Sequence, residues 1–146
     1  MRVGEIMTKT IEYIDPETTL ESAARTMRDT DVGGLPVLKD GRMVGFLTDR
    51  DIVTRAIAEG YAPGISTAQD AMTEDVFCVR EDQSIEDACE LMSRHQIRRL
   101  VVIDQQNHPI GMVTLCDLAK KDPKTEEPAK VLQAVSKQTP ADRPYC

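Results

Sequence analysis

The chain has no tryptophan, and its 146 residues include only two phenylalanines and three tyrosines. Single-stranded nucleic acid is held on aromatic faces that stack successive bases, so this scarcity argues against a stacking platform. Cations are also in deficit: 18 Lys and Arg stand against 25 Asp and Glu, a formal net charge of −7 with a pI near 4.8. Phosphate-backbone binding needs a basic surplus, and the one tight basic pair, Arg98-Arg99, is too short to supply it. Cys78, Cys89, Cys116 and Cys146 show no C-x-x-C spacing, so neither a disulfide framework nor a zinc knuckle is indicated. His95 and His108 lack metal-ligand spacing to each other or to a cysteine, and no metal site is expected. Long apolar runs are missing as well. The longest aliphatic stretch, Leu100–Ile103, is far too short to span a bilayer, and no run of signal-peptide length occurs. A reducing cytoplasm is the expected setting, with Cys78 and Cys89 as small buried side chains. No phosphate-binding Gly-x-x-x-x-Gly-Lys loop, Ser-His-Asp set or activated cysteine is present. Asp49-Arg50-Asp51 is not a matched acid and base, because neighbouring residues on a helix start point apart. An enzyme is therefore not expected.

What the chain does contain is a repeat. A shift of 65 residues carries Met7-Thr8 onto Met72-Thr73, Glu21 onto Glu86, Ala23 onto Ala88, Met27 onto Met92, Leu35 onto Leu100 and Val37 onto Val102. One extra residue in the loop from Asp104 to Pro109 changes the offset to 66, and Gly45, Thr48 and Asp51 then meet Gly111, Thr114 and Asp117. Matches in order along a whole unit mark a duplicated fold. The spacing divides the chain into repeat 1 over residues 1–60 and repeat 2 over 61–121, with residues 58–70 as connector. Residues 122–146 form a polar, Pro-containing tail, expected to pack poorly apart from one weak helical stripe at Val131, Leu132 and Val135.

Each repeat reads as strand, helix, strand, strand, helix. The first strands are Ile11–Ile14 and Val76–Val79. Thr19 and Ser84 stand where N-caps belong, each with an acid two residues on that suits a positive helix start. Leu20, Ala23, Ala24 and Met27, and likewise Ile85, Ala88, Cys89 and Met92, follow the i, i+3, i+4, i+7 spacing of one buried helix stripe. Leu35–Leu38 and Met43–Leu47 flank Asp40-Gly41, a hairpin signal, and Leu100–Ile103 and Ile110–Val113 flank a longer turn. A last helix opens after Thr48 and after Thr114. One unit alone leaves a sheet face and helix stripes exposed. The predicted fold is therefore an α/β (α+β) module of two pseudosymmetric β-α-β-β-α repeats, and the remaining exposed stripes imply a homodimer.

The strongest local motif is Gly45-Phe46-Leu47-Thr48-Asp49-Arg50-Asp51-Ile52, mirrored by Gly111-Met112-Val113-Thr114-Leu115-Cys116-Asp117-Leu118. A Thr hydroxyl with free N–H groups at a helix start suits a phosphate. An Asp carboxylate, a pure acceptor, suits both hydroxyls of a ribose. The same Thr-x-x-Asp spacing also makes a capping box that merely satisfies the helix start. Its presence at matched places in both repeats, each time three residues after a glycine, favours a functional role without removing the capping role.

These residues resemble a known family. Ile6-Met7-Thr8, Gly33-Gly34-Leu35-Pro36-Val37 and Gly45 to Ile52 are similar to a cystathionine-β-synthase-type (CBS) domain. Ala71-Met72-Thr73, Ile97 to Val102 and Gly111 to Asp117 resemble a second copy. The resemblance covers roughly residues 4–121 and extends to small stand-alone bacterial CBS pairs, including hypoxia- and stress-response proteins. It implies a regulatory module that binds adenine nucleotides in two clefts and signals by a change of shape or partner. AMP is the foremost ligand it implies, with ADP, ATP, NADH and S-adenosylmethionine as others. It implies one cleft with Thr8, Ile11, Arg98, Arg99, Thr114 and Asp117, and a second with Gly33, Gly34, Thr48, Asp51, Thr73 and Val76. The rival expectation is a structural interaction module with no nucleotide and an unknown protein target. The clefts differ in charge: arginine can grip phosphate bidentately, whereas Gly33-Gly34 offers only close backbone approach.

Overall fold

The computed structural model describes residues 1–9, 12–121 and 126–136. They fall into two compact units. The first holds residues 1–9, 77–106, 110–121 and 126–136, and the second holds residues 12–76 and 107–109.

The second unit is built on helix α2, Leu20–Thr30. Thr19 caps it, its hydroxyl oxygen accepting the Ser22 N–H at 3.2 Å; of the predicted stripe Leu20, Ala23 and Met27 are buried, whereas Ala24 is exposed. The helix ends on Asp31 in the left-handed conformation (φ 54°). Strands β1, Gly34–Lys39, and β2, Arg42–Thr48, follow as an antiparallel pair. Their turn places both Asp40 (φ 53°) and Gly41 (φ 76°) at positive φ, as a two-residue hairpin requires. Of the strand expected over Ile11–Ile14, the described residues pair only through the bridge from Ile14 to Val37, and Ile11 lies outside the described residues. Asp15-Pro16 turns the chain immediately afterwards: the Asp15 carboxylate accepts the Glu17 N–H at 2.7 Å.

After β2 comes a one-turn helix α3, Asp49–Asp51, and then a π-helix, Ile52–Ile57, where a regular helix was expected. Ile52, Val53 and Thr54 are three β-branched residues in succession, and the Thr54 hydroxyl donates to the Arg50 carbonyl at 2.8 Å. Both features weaken the ordinary i→i−4 ladder. The unit is closed by α4, Ala68–Ala71, whose Ala68 and Ala71 join Leu20, Val37 and Leu47 in one core.

The first unit repeats this plan. Strand β3, Cys78–Arg80, lies parallel to β4, Arg99–Ile103, and β5, Pro109–Thr114, completes the three-stranded sheet in the order β3-β4-β5. Helix α5, Ile85–His95, is capped by Ser84 and ends on a left-handed Gln96, the counterpart of Asp31. Helix α6, Leu115–Lys121, follows β5. The chain's opening helix α1, Val3–Ile6, belongs here too: Val3 and Ile6 share the core of Ile85, Met92, Leu100 and Leu118.

The tail departs from expectation. Glu127–Ser136 is a helix, α7, packed on α5 and α6, with Val131 completely buried and Val135 nearly so. Pro128 sits in its first turn, where no backbone N–H is needed, and Pro128, Val131 and Val135 make the buried face. Leu132, expected in that stripe, points to solvent. The remainder of the tail, including Cys146, lies outside the described residues.

Candidate functional site

In each unit a β-strand ends on a threonine and a helix starts there. In the second unit the Thr48 N–H donates to Asp51 Oδ2 and the Asp51 N–H donates to the Thr48 hydroxyl oxygen, both at 3.0 Å. In the first unit the Thr114 N–H and hydroxyl both donate to Asp117 Oδ2 at 2.9 Å, and the Asp117 N–H donates back to Thr114 Oγ1 at 3.2 Å. Both are reciprocal capping boxes, so the structural role foreseen for this spacing is real. One carboxylate oxygen carries it in each case.

Two backbone links attach other segments to each box. The Asp49 N–H donates to the Gly33 carbonyl at 3.0 Å, and the Leu115 N–H donates to the Arg98 carbonyl at 2.9 Å. The start of the middle strand is thus fixed beside the helix start. Phe46 and Thr73 exchange two hydrogen bonds of 2.8 and 2.9 Å, and Met112 and Thr8 do the same at 3.0 and 2.8 Å. The Met-Thr segment of one repeat is thereby laid on the strand that leads into the other repeat's box.

The motif glycines make this approach possible. A Cβ on Gly45 would lie 3.0 Å from the Thr73 carbonyl oxygen and 2.5 Å from Met72 Sδ. On Gly111 it would lie 2.8 Å from the Thr8 carbonyl oxygen and 2.6 Å from Met7 Sδ. Sequence spacing showed the glycines but not the segment that needs them.

Of the residues assigned by resemblance, Thr8, Arg98, Arg99, Thr114 and Asp117 all lie in the first unit. Their companion Ile11 lies outside the described residues. Gly33, Gly34, Thr48, Asp51, Thr73 and Val76 all lie in the second. Arg98 is exposed and Arg99 half-buried, and neither side chain has an ionic partner among the described residues. Asp51 is buried, whereas Asp117 is half-buried. One residue escaped sequence reasoning: Arg55 approaches Asp51, Nε to Oδ1 at 3.8 Å, and donates to the Met72 carbonyl at 3.3 Å. Its four-residue spacing from Asp51 was the available signal.

Burial, with Glu127 and Glu86 nearby, pushes the Cys89 thiol up to about 11, and burial raises that of Cys78. Cys89 is buried as expected, while Cys78 is only half-buried. Among the described residues no cluster of three or more His, Cys, Asp or Glu is placed to hold a metal, and no helix is long and apolar enough to cross a membrane.

Known proteins share this arrangement. The family model for the CBS domain matches residues 3–57 and 68–124. The CBS domain-containing protein YhcV of Bacillus subtilis is 37% identical over 136 residues, covering 93% of this chain and 96% of that protein. Hypoxic response protein 1 of Mycobacterium tuberculosis is 36% identical over 120 residues, covering 82% of this chain and 83% of that protein. Among solved structures, a CBS domain protein of unknown function from Thermoplasma acidophilum, TA0289, superposes with a TM-score of 0.80 at 27% identity. That match covers 92% of this chain and 75% of TA0289. CBSX2, crystallised in complex with AMP, has a TM-score of 0.69 at 27% identity, covering 84% of this chain and 96% of its own. The CBS domain pair of protein MJ0100, in complex with 5′-methylthioadenosine and S-adenosyl-L-methionine, has a TM-score of 0.73 at 25% identity, covering 82% and 98%.

Proposed function

The chain belongs to the CBS domain family, carrying two copies of the domain, and from that membership we propose that it is a regulatory module that binds an adenine nucleotide in each unit. The residues proposed for the first site are Thr8, Arg98, Arg99, Thr114 and Asp117, the resemblance adding Ile11, which lies outside the described residues, and those for the second are Gly33, Gly34, Thr48, Asp51, Thr73 and Val76. AMP is the foremost ligand; ADP, ATP, NADH and S-adenosylmethionine share the adenosine part that the site would hold. The module acts without turnover, as a cytoplasmic homodimer that passes ligand binding to a protein target.

The observation that carries this reading is the Thr-x-x-Asp box that keeps one carboxylate oxygen in hand. Asp117 satisfies the helix start through Oδ2 alone, which leaves Oδ1 to accept from a ribose hydroxyl. Arg98 and Arg99, with no ionic partner among the described residues, supply what an anionic protein otherwise lacks for a phosphate. A charged hydrogen bond to phosphate contributes about 1.5–3 kcal/mol, so one such contact separates the two sites by tenfold or more. The first unit is accordingly the tighter site. Calorimetric AMP titration of wild type, Asp51→Ala and Asp117→Ala tests this, with Asp117→Ala expected to abolish the tighter event. Loss of that event in Asp51→Ala but not in Asp117→Ala refutes the ranking, and absence of any binding refutes the nucleotide reading.

The second reading is a structural interaction module. It is favoured by the capping bonds themselves, which already give Thr48, Asp51, Thr114 and Asp117 a role in the fold.

A further inference from the structure

The two boxes differ at a point outside the sequence motifs. In the second unit Arg55, one turn beyond Asp51, brings Nε to 3.8 Å from Asp51 Oδ1 and donates from Nη1 to the Met72 carbonyl at 3.3 Å. Met72 precedes Thr73, the residue that is bridged to Phe46. One guanidinium therefore ties the carboxylate to the segment that carries Thr73. Asp51 Oδ2 is already committed to the Thr48 N–H, and Arg55 faces the other oxygen. In the first unit the capping bonds likewise fall on Asp117 Oδ2, and the position matching Arg55 carries a lysine, Lys121, in place of an arginine.

We propose that Arg55 is the positioning residue that restricts the second unit's site: by facing Asp51 Oδ1 and anchoring Met72, it withholds from a ribose the carboxylate oxygen that the capping bonds leave open. This rests on the nucleotide reading of the Thr48–Asp51 box. A ribose offers two hydroxyl donors to the carboxylate, and it must displace the guanidinium to use both oxygens. Displacement is feasible because the Asp51 side chain is 12% exposed and that of Arg55 is 52% exposed. The carboxylate stays in place while the arginine has open solvent to move into. A half-exposed ion pair is also weak enough for a ligand to compete with. The second site thus fills last, and its occupancy depends on moving Arg55 away from the Met72-Thr73 segment.

Adenosine is the appropriate probe, because it is uncharged and its capture does not depend on the protein's net charge. Calorimetry in an Asp117→Ala background isolates the second site. Adding Arg55→Met, which keeps the apolar stem, should tighten adenosine binding about two- to fivefold. Adding Arg55→Lys should tighten it less, and the gain should vanish when Asp51→Ala is introduced. Circular dichroism and a urea melt establish that each variant is folded. A purely structural Arg55 would lower the melting midpoint without tightening adenosine binding. Unchanged or weaker adenosine binding in folded Arg55→Met and Arg55→Lys overturns the proposal. If Asp51→Ala still binds AMP through the first unit, the nucleotide reading survives that failure. If neither adenosine nor AMP binds wild type or any variant, both fall together.

Discussion

Gly111→Ala isolates the contact that joins the Met-Thr segment to its box. Gly111 is buried in β5, and the added methyl would sit 2.8 Å from the Thr8 carbonyl oxygen, 2.6 Å from Met7 Sδ and 3.1 Å from Met7 Cγ. The methionine can swing its sulfur aside, but the carbonyl is backbone and is pinned by the Met112 N–H at 3.0 Å. Relief requires Thr8 to retreat by roughly half an ångström, and overpacking of that kind costs about 1–3 kcal/mol. Straining the paired hydrogen bonds between Thr8 and Met112 adds about 0.5–1.5 kcal/mol for each bond lost. The alanine stiffens the unfolded chain and returns about 0.4–1 kcal/mol. The net expectation is a loss of about 2–3 kcal/mol, read as a lower urea midpoint at unchanged slope. Hydrogen exchange should localise the damage, with the Thr8 and Met112 amides losing protection before those of α5. Gly41→Ala is the contrasting control. It meets nothing within 4 Å and suffers only from its φ of 76°. A Gly111→Ala protein within about 0.5 kcal/mol of wild type, the range of an ordinary surface substitution, refutes the close-approach argument.

Val131→Ala should destabilise the first unit by about 1.5–2.5 kcal/mol, since it removes buried methyls where α7 meets α5 and α6. Leu132→Ala on the exposed side of the same helix should change a urea melt by less than about 0.5 kcal/mol. Cys89 predicts a pH dependence: its thiol ionises near 11 in the fold against 9.0 ordinarily, so the native state holds the proton more tightly. Stability from this group is present below pH 9.0 and is lost as the pH rises through about 11. That loss is on the order of 2 kcal/mol, and Cys89→Ala should remove it from urea melts taken across this range.

Much of the fold was legible because the duplication supplied its own control. Thr19 and Ser84, Leu20 and Ile85, and Met27 and Met92 do in the structure what their shared spacing predicted. The misreadings have local causes. Both first strands are shorter than hydrophobicity suggests: β3 begins at Cys78, two residues after Val76, and the described residues of Ile11–Ile14 pair only at Ile14. The same turn follows each, from the Thr18 N–H to the Asp15 carbonyl and from the Gln83 N–H to the Arg80 carbonyl. A helix opens after Thr48 as expected, yet its stretch Ile52–Ile57, which starts with three β-branched residues, is a π-helix. The polar, Pro-containing tail is expected to pack poorly, and Pro128 instead occupies the first turn of a packed helix, where no backbone N–H is needed. Periodicity reports which segments are alike and is silent on which ones touch. It could not show that Val3 and Ile6 complete the core around Ile85 and Leu100, or that Ala68 and Ala71 complete the one around Leu20 and Val37.

The same distinction bears on the site. Thr-x-x-Asp posed a choice between helix cap and ligand contact, and spacing alone had no means of deciding, because both uses need an acceptor at the same place. Atomic geometry makes the alternatives compatible: the cap consumes one carboxylate oxygen and leaves the other to its surroundings. What distinguishes the two units is therefore the neighbour of the second oxygen. For Asp51 it is an arginine one helical turn away that also holds the Met72 carbonyl. For Asp117 the matching position carries Lys121 in place of an arginine, and Arg98 and Arg99 stand at the start of the adjoining strand. A duplicated module can thus keep one backbone plan in both halves and still differ in ligand affinity, because the residues that differ lie around the box and leave its capping bonds untouched.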